Sequence, residues 1–176
     1  MLEPSHIFLT GTDFAGRRST FRALTLLSTP RFATSNDVDV LHADLGTSFA
    51  LLRSRIHTAK TYDPIVDAGR DPRIAADVAF LARADLVVYV VDSQTGRAPA
   101  NVAGLGRLHE LLIRLGRRPD SIQVLFQLNK RDLPDLCSQA ELRQQLTWPL
   151  CRYVETIATR GTGVPELALE LARMIA

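Results

Sequence analysis

Lysine is nearly missing from this chain. Of 21 basic side chains only two are Lys, Lys60 and Lys130, and the others are all Arg. Each surviving Lys is therefore a stronger hint than usual, and an Arg at a position where a motif asks for Lys is a weaker oddity. A concentrated basic surface is missing too. The 19 acids bring the formal charge to +2, which excludes the basic face that phosphate tracking along nucleic acid needs. Cysteine is scarce. Cys137 and Cys151 make neither a disulfide framework nor a metal site, and reduced thiols in a cytosol are expected. His6, His42, His57 and His109 are scattered without ligand spacing, so no metal centre is expected. No apolar run approaches the ~20 residues of a membrane span. The start, Met1 to Gly11, lacks a basic region followed by an apolar signal core. A cytoplasmic protein is expected.

The 176 residues favour a single domain, 1–176, able to bury roughly 70% of its unfolded surface. There is no repeat and no low-complexity segment. Short apolar runs alternate with helical stripes. Strands are expected at His6–Thr10, Val38–Asp44, Thr61–Asp67 (weakened by Pro64), Leu86–Val91, Ile122–Phe126 and Tyr153–Ile157. Helices are expected at Arg17–Ser28, around Ile74, Val78 and Leu81, along Val102, Leu105, Leu108 and Leu112, over Gln139–Leu146, and from Pro165 with Val164, Leu167, Leu171 and Met174 on one face. The continuous β-branched run Leu86–Val91 suits a central parallel strand covered on both sides. Strand–helix alternation predicts a largely parallel, three-layer α/β fold. Such sheets bind ligands beyond the carboxyl ends of their strands.

After the first strand stands Gly11-Thr-Asp13-Phe14-Ala15-Gly16-Arg17-Arg18-Ser19-Thr20. This nearly matches the phosphate-cradling pattern G-x-x-x-x-G-K-S/T in its strand–loop–helix setting, where backbone N–H groups and a helix N-terminus converge on an anion. Arg17 replaces the Lys and keeps its charge with a wider fork. Arg18 replaces the metal-binding hydroxyl, and a guanidinium ligates no cation. Ser19 would serve only if the helix began one residue later. The competing reading is a plain strand–turn–helix connection.

After the fifth run stands Asn129-Lys130-Arg131-Asp132. The pattern NKxD reads guanine: the Asp carboxylate accepts from the ring N1–H and exocyclic amine, and the Lys stem packs on the base. After the last run stands Ala158-Thr159-Arg160-Gly-Thr-Gly163, where a small residue commonly offers its N–H to the guanine oxygen. Val66-Asp67-Ala68-Gly69-Arg70 occupies the place of a DxxGQ switch. Gly69 would face the γ-phosphate, Val66 falls on the metal-linked Asp, and Arg70 falls on the water-orienting Gln.

On these residues the chain resembles the Ras-like small GTPases, most closely their bacterial MglA-type branch. Asp85 to Gln94, Asn101 with Leu105 and Leu108, Gln127 to Pro134, and Gly161 to Val164 look like stretches of that branch. The resemblance covers essentially the whole chain, but residues 30–75 fit poorly. Asp39 and Val40 fall where the branch carries its arginine and its metal-binding Thr. The resemblance implies a P-loop NTPase fold with a mostly parallel, six-stranded sheet flanked by about five helices. It implies GTP or GDP as ligand and nucleotide contacts from Gly11, Asp13, Phe14, Ala15, Gly16, Arg17, Arg18, Ser19, Gly69, Asn129, Lys130, Asp132, Ala158 and Thr159. It also implies a protein partner of the Roadblock or polarity and motility kind.

The base-reading half matches and the phosphate–metal half does not. Phosphoryl transfer depends on Lys, Mg²⁺, a water-orienting residue and Arg, and of these only Arg17 stands in. The expected protein is a pseudo-GTPase that binds guanine nucleotide and partner without efficient hydrolysis or Mg²⁺. The alternatives are an active GTP-hydrolysing switch with rewired phosphate-loop chemistry, and a small-anion or other nucleotide-binding enzyme on a related α/β frame.

Overall fold

The computed structural model describes residues 5–27, 40–44, 53–58 and 72–175. The strands are β1 (Ser5–Gly11), β2 (Val40–Asp44), β3 (Arg53–Thr58), β4 (Leu86–Asp92), β5 (Gln123–Asn129) and β6 (Cys151–Glu155). The helices are α1 (Arg17–Leu27), α2 (Pro72–Leu81), α3 (Ala98–Arg114), α4 (Gln139–Gln145) and α5 (Val164–Ile175). The sheet order is β2-β3-β1-β4-β5-β6. β3, β1, β4, β5 and β6 run parallel, and β2 lies antiparallel at the edge.

The pleat divides the core. Successive strand residues face opposite sides, so Leu86, Val88 and Val90 of β4 pack with α1 and α5, through Leu24, Leu167 and Leu171. Val87, Tyr89 and Val91 pack on the other side, with Leu81 of α2, Leu105, Leu108 and Leu112 of α3, and Leu142 of α4. All seven residues of β4 are buried, as a run covered on both faces requires. Burying a side chain of this class stabilises by about 1.5–3 kcal/mol, and β4 alone places Leu86, Val87, Val88, Val90 and Val91 in that state.

The strand expected at Thr61–Asp67 lies outside the described residues, as does Gly69. Three sequence expectations change. β3 at Arg53–Thr58 is an added strand, and Arg-Ser-Arg-Ile-His-Thr carries no apolar run to announce it. β6 begins two residues earlier than expected, at Cys151. Val102, on the stripe expected of α3, is 43% exposed. Asn101 and Gly104 take the inward places beside Leu105, Leu108 and Leu112, because Gly104 lets the Tyr89 hydroxyl pass where a Cβ would block it. Both thiols are free, Cys137 buried and Cys151 half-buried. Among the described residues no helix is long and apolar enough to cross a membrane.

Candidate functional site

The parallel sheet brings the carboxyl ends of β1, β4, β5 and β6 to one edge. At the end of β1 the chain passes Gly11 at φ +145° and Gly16 at φ +107°. A Cβ on Gly11 would run into the Val90 carbonyl of β4, and one on Gly16 into the Asn129 amide. Between them Ala15 N–H bonds the Thr12 carbonyl at 3.2 Å. Phe14 holds the left-handed region at φ 64°, with its ring 85% exposed. The loop therefore keeps a cradle shape although only its two ends are glycine.

Helix α1 begins at Arg17, and Thr20 N–H to Gly16 O at 2.9 Å is an i to i−4 bond of its first turn. The slip that would move Ser19 into the place of Arg18 is therefore not made. Arg18 is exposed, Ser19 is half-buried, and Thr20 is buried. The Thr20 hydroxyl accepts from Gln127 Nε2 at 2.8 Å. The amides of a first helical turn precede the intrahelical ladder and carry the positive end of the helix dipole, so the loop retains the elements of an anion cradle. Arg17 is largely covered, and its guanidinium lies 3.6 Å from the Asp13 carboxylate.

Asn129 joins this loop to the base side. Its Nδ2 donates to the Ala15 carbonyl at 2.8 Å. Its Oδ1 accepts from the Thr156 hydroxyl and from the Ala158 amide, both at 3.0 Å. Gln127 Nε2 also reaches the Thr156 hydroxyl, at 2.8 Å. The Ala158 amide, expected to face a base, is thus directed at Asn129, and Thr159 is exposed. Lys130 follows at φ 65°, and its Nζ lies 2.7 Å from Oδ2 of Asp92. Asp132 pairs with Arg160 at 3.3 Å, its side chain mostly covered while that of Arg160 is 68% exposed.

Asp92, Arg97 and Asn101 also belong to the site, and no motif in the sequence marks them as part of it. Asp92 is buried. Beyond Lys130 it meets Arg97 Nε at 3.8 Å and accepts from Gln94 N–H at 3.2 Å. Arg97 Nη2 donates to the Asp13 carbonyl at 2.6 Å. Asn101 Nδ2 donates to the Asp92 carbonyl at 2.8 Å, and its Oδ1 accepts from the Thr12 hydroxyl at 3.3 Å. Its own carbonyl accepts from the buried Tyr89 hydroxyl at 2.8 Å. Burial pushes the Tyr89 phenol well above its usual range, against a pull from Arg107 and Arg17, so it stays a neutral donor. A polar residue in a buried strand needs a partner. That rule, applied to Asp92, Gln127 and Asn129 at the ends of apolar runs, is the signal that points to this network.

The site offers a carboxylate and a Lys stem for a purine edge, and backbone amides with Arg17 for an anion. Among the described residues no group of three His, Cys, Asp or Glu is placed to hold a metal ion. Arg18, at the hydroxyl position, has no lone pair for Mg²⁺. Among the described residues the donor set suits a guanine nucleotide, and Arg18 offers its cation no ligand.

No family model matches the chain. It is 33% identical over 96 residues to the mutual gliding-motility protein MglA of Myxococcus xanthus (strain DK1622), a match covering 54% of this chain and 49% of that protein. The chain thus spans about half the length of the relative it matches. That similarity, with the α/β sheet, supports a distant relation to the Ras-like small GTPases.

Proposed function

We propose that this chain is a single-domain, Ras-like protein that binds guanine nucleotide through the segment Asn129 to Asp132 and does not run an efficient, Mg²⁺-dependent hydrolytic cycle. One observation carries the reading: Asn129 clamps the phosphate-type loop at Ala15 and the last loop at Thr156 and Ala158. That arrangement gives the guanine motif a tertiary role that a surface turn would not need. The nucleotide would lie with its base against Asp132 and Lys130 and its phosphates over Gly11 to Arg17. Gly69 would approach the terminal phosphate. Val40 supplies no oxygen ligand, Asp39 has the wrong charge for an arginine's role, and Arg70 is not the water-orienting amide that hydrolysis uses. The protein then works in the cytoplasm by holding a protein partner, of the Roadblock or polarity and motility kind on the resemblance alone.

The test is titration of fluorescent GDP and GTP with and without Mg²⁺, on the native chain and on Asp132→Ala. Weak triphosphate binding, little effect of chelation and loss of binding in the variant are expected. Tight Mg²⁺-dependent binding that Asp132→Ala spares contradicts the reading, and so does turnover at rates typical of small GTPases.

A further inference from the structure

We propose that this cradle is self-liganded: Arg160 holds the place of guanine on Asp132, and Asp13 holds the place of phosphate on Arg17. The inference rests on the guanine-binding reading above and adds how that site is regulated. The base end carries the first half of the argument. Guanine presents N1–H and the exocyclic amine as two adjacent donors. A guanidinium presents the same kind of donor fork to a carboxylate. Arg160 Nη2 lies 3.3 Å from Oδ2 of Asp132 as an ion pair, so a guanidinium already faces the carboxylate that guanine's donors would meet.

The phosphate end repeats the pattern with the charges exchanged. Arg17 stands where a cation should meet phosphate oxygens. The Asp13 carboxylate, four residues before it in the loop, lies 3.6 Å away. The loop backbone at that point is fixed by Arg97 on the Asp13 carbonyl, so opening this pair asks only the carboxylate to turn.

The exposures give the direction of exchange. In each pair the motif group is covered and the substitute is open to water: 19% for Asp132 against 68% for Arg160, and 13% for Arg17 against 64% for Asp13. A covered group stays in place while an exposed one swings into solvent at small cost. A ligand therefore displaces Arg160 and Asp13, and the motif residues remain. Both pairs oppose binding, and each is screened by salt. A carboxylate left beside the loop also repels added phosphates, so Asp13 acts against di- and triphosphates and is indifferent to a nucleoside.

The experiment is isothermal titration calorimetry of the full chain with guanosine, GDP and GTP at low and moderate salt. The variants are Arg160→Gln, Asp13→Asn, the double substitution and Asp132→Ala. Arg160→Gln is expected to tighten all three ligands, by about two- to fivefold as befits a half-exposed pair. Asp13→Asn is expected to tighten GDP and GTP by a similar factor and to leave guanosine unchanged. A purely structural role for either residue predicts loss of affinity, never gain. The proposal is overturned if Arg160→Gln leaves guanosine binding unchanged or weaker, or if Asp13→Asn improves guanosine as much as GDP. If Asp132→Ala abolishes binding while neither other variant gains, only the self-liganded state is wrong. If Asp132→Ala spares binding, or no variant binds any of the three ligands, the guanine reading falls with it.

Discussion

Asn129 donates to the carbonyl of Ala15 at 2.8 Å across 114 positions of sequence. One buried amide thereby fastens the loop after β1 to the end of β5, and its oxygen fastens the loop after β6 as well. Replacing it by Ala strands the Ala15 carbonyl and the Ala158 amide and takes the acceptor from the Thr156 hydroxyl, which keeps only its bond from Gln127. A buried polar group left without a partner costs about 1–3 kcal/mol. The three share one site and will not add fully, so Asn129→Ala should lower unfolding stability by about 3 kcal/mol. Urea denaturation measures this, and a loss under about 1 kcal/mol would show that the clamp is not structural.

Gly16 and Phe14 both sit at positive φ, yet substitution should act on them in opposite ways. Gly16 faces Asn129 so closely that a Cβ would strike its Nδ2, and its φ of +107° suits glycine alone. Gly16→Ala is expected to destabilise by about 2 kcal/mol. Phe14 already bears the cost of a left-handed backbone, about 1–2 kcal/mol, and its ring is 85% exposed. Phe14→Gly removes that strain and adds a similar unfolded-state entropy. Its melting temperature should stay within a few degrees of the native value; a fall as large as that of Gly16→Ala would mean that the ring itself is packed.

Asp92 and Lys130 form the most buried ion pair described here, 2.7 Å apart with Asp92 only 2% exposed. Breaking a fully buried pair costs about 3–5 kcal/mol. Lys130 keeps a quarter of its side chain in water, so Asp92→Asn should cost about 2 kcal/mol. In a double-mutant cycle with Lys130→Met the coupling should exceed about 1 kcal/mol. Additive effects would show that Lys130 stands beside Asp92 without depending on it.

The sequence shows most of the frame through β4 and β5, because Leu86 to Val91 and Val124 to Phe126 are apolar on both faces. It hides β3. Arg53 to Thr58 pairs with β1 and β2, and its long polar side chains carry neither period nor apolar run. The guanine motif is legible as letters, since Asn129, Lys130 and Asp132 stand directly after a strand. Their partners are not. Asp92, Arg97 and Asn101 meet them only because β4 lies between β1 and β5, and no local spacing encodes that adjacency. The misplacement of Val102 has the same origin: periodicity gives two adjacent faces of α3, and the hydroxyl of Tyr89 beside Gly104 selects between them.

Helix α4 gives a pH test away from the site. Ser138 caps it, its Oγ accepting from Glu141 N–H at 3.1 Å while its own N–H donates to Glu141 Oε2 at 2.7 Å. Hydrogen bonding from Ser138, its side chain first and its backbone N–H second, holds the Glu141 carboxyl below its ordinary value of 4.5. A carboxyl whose folded pKa is depressed gives stability that is present above its unfolded pKa and is lost as pH falls through the folded one. The native chain should therefore exceed Glu141→Gln in stability at neutral pH, and the gap should close from about pH 5 downward. Ser138→Ala, which removes the other half of the box, should cost about 1 kcal/mol at neutral pH. Trp148 is the sole Trp and is buried, with its indole N–H on the Ile122 carbonyl, so its fluorescence follows unfolding directly. A Glu141→Gln gap that stays constant between pH 7 and pH 3 would mean that the carboxylate charge contributes nothing to the cap.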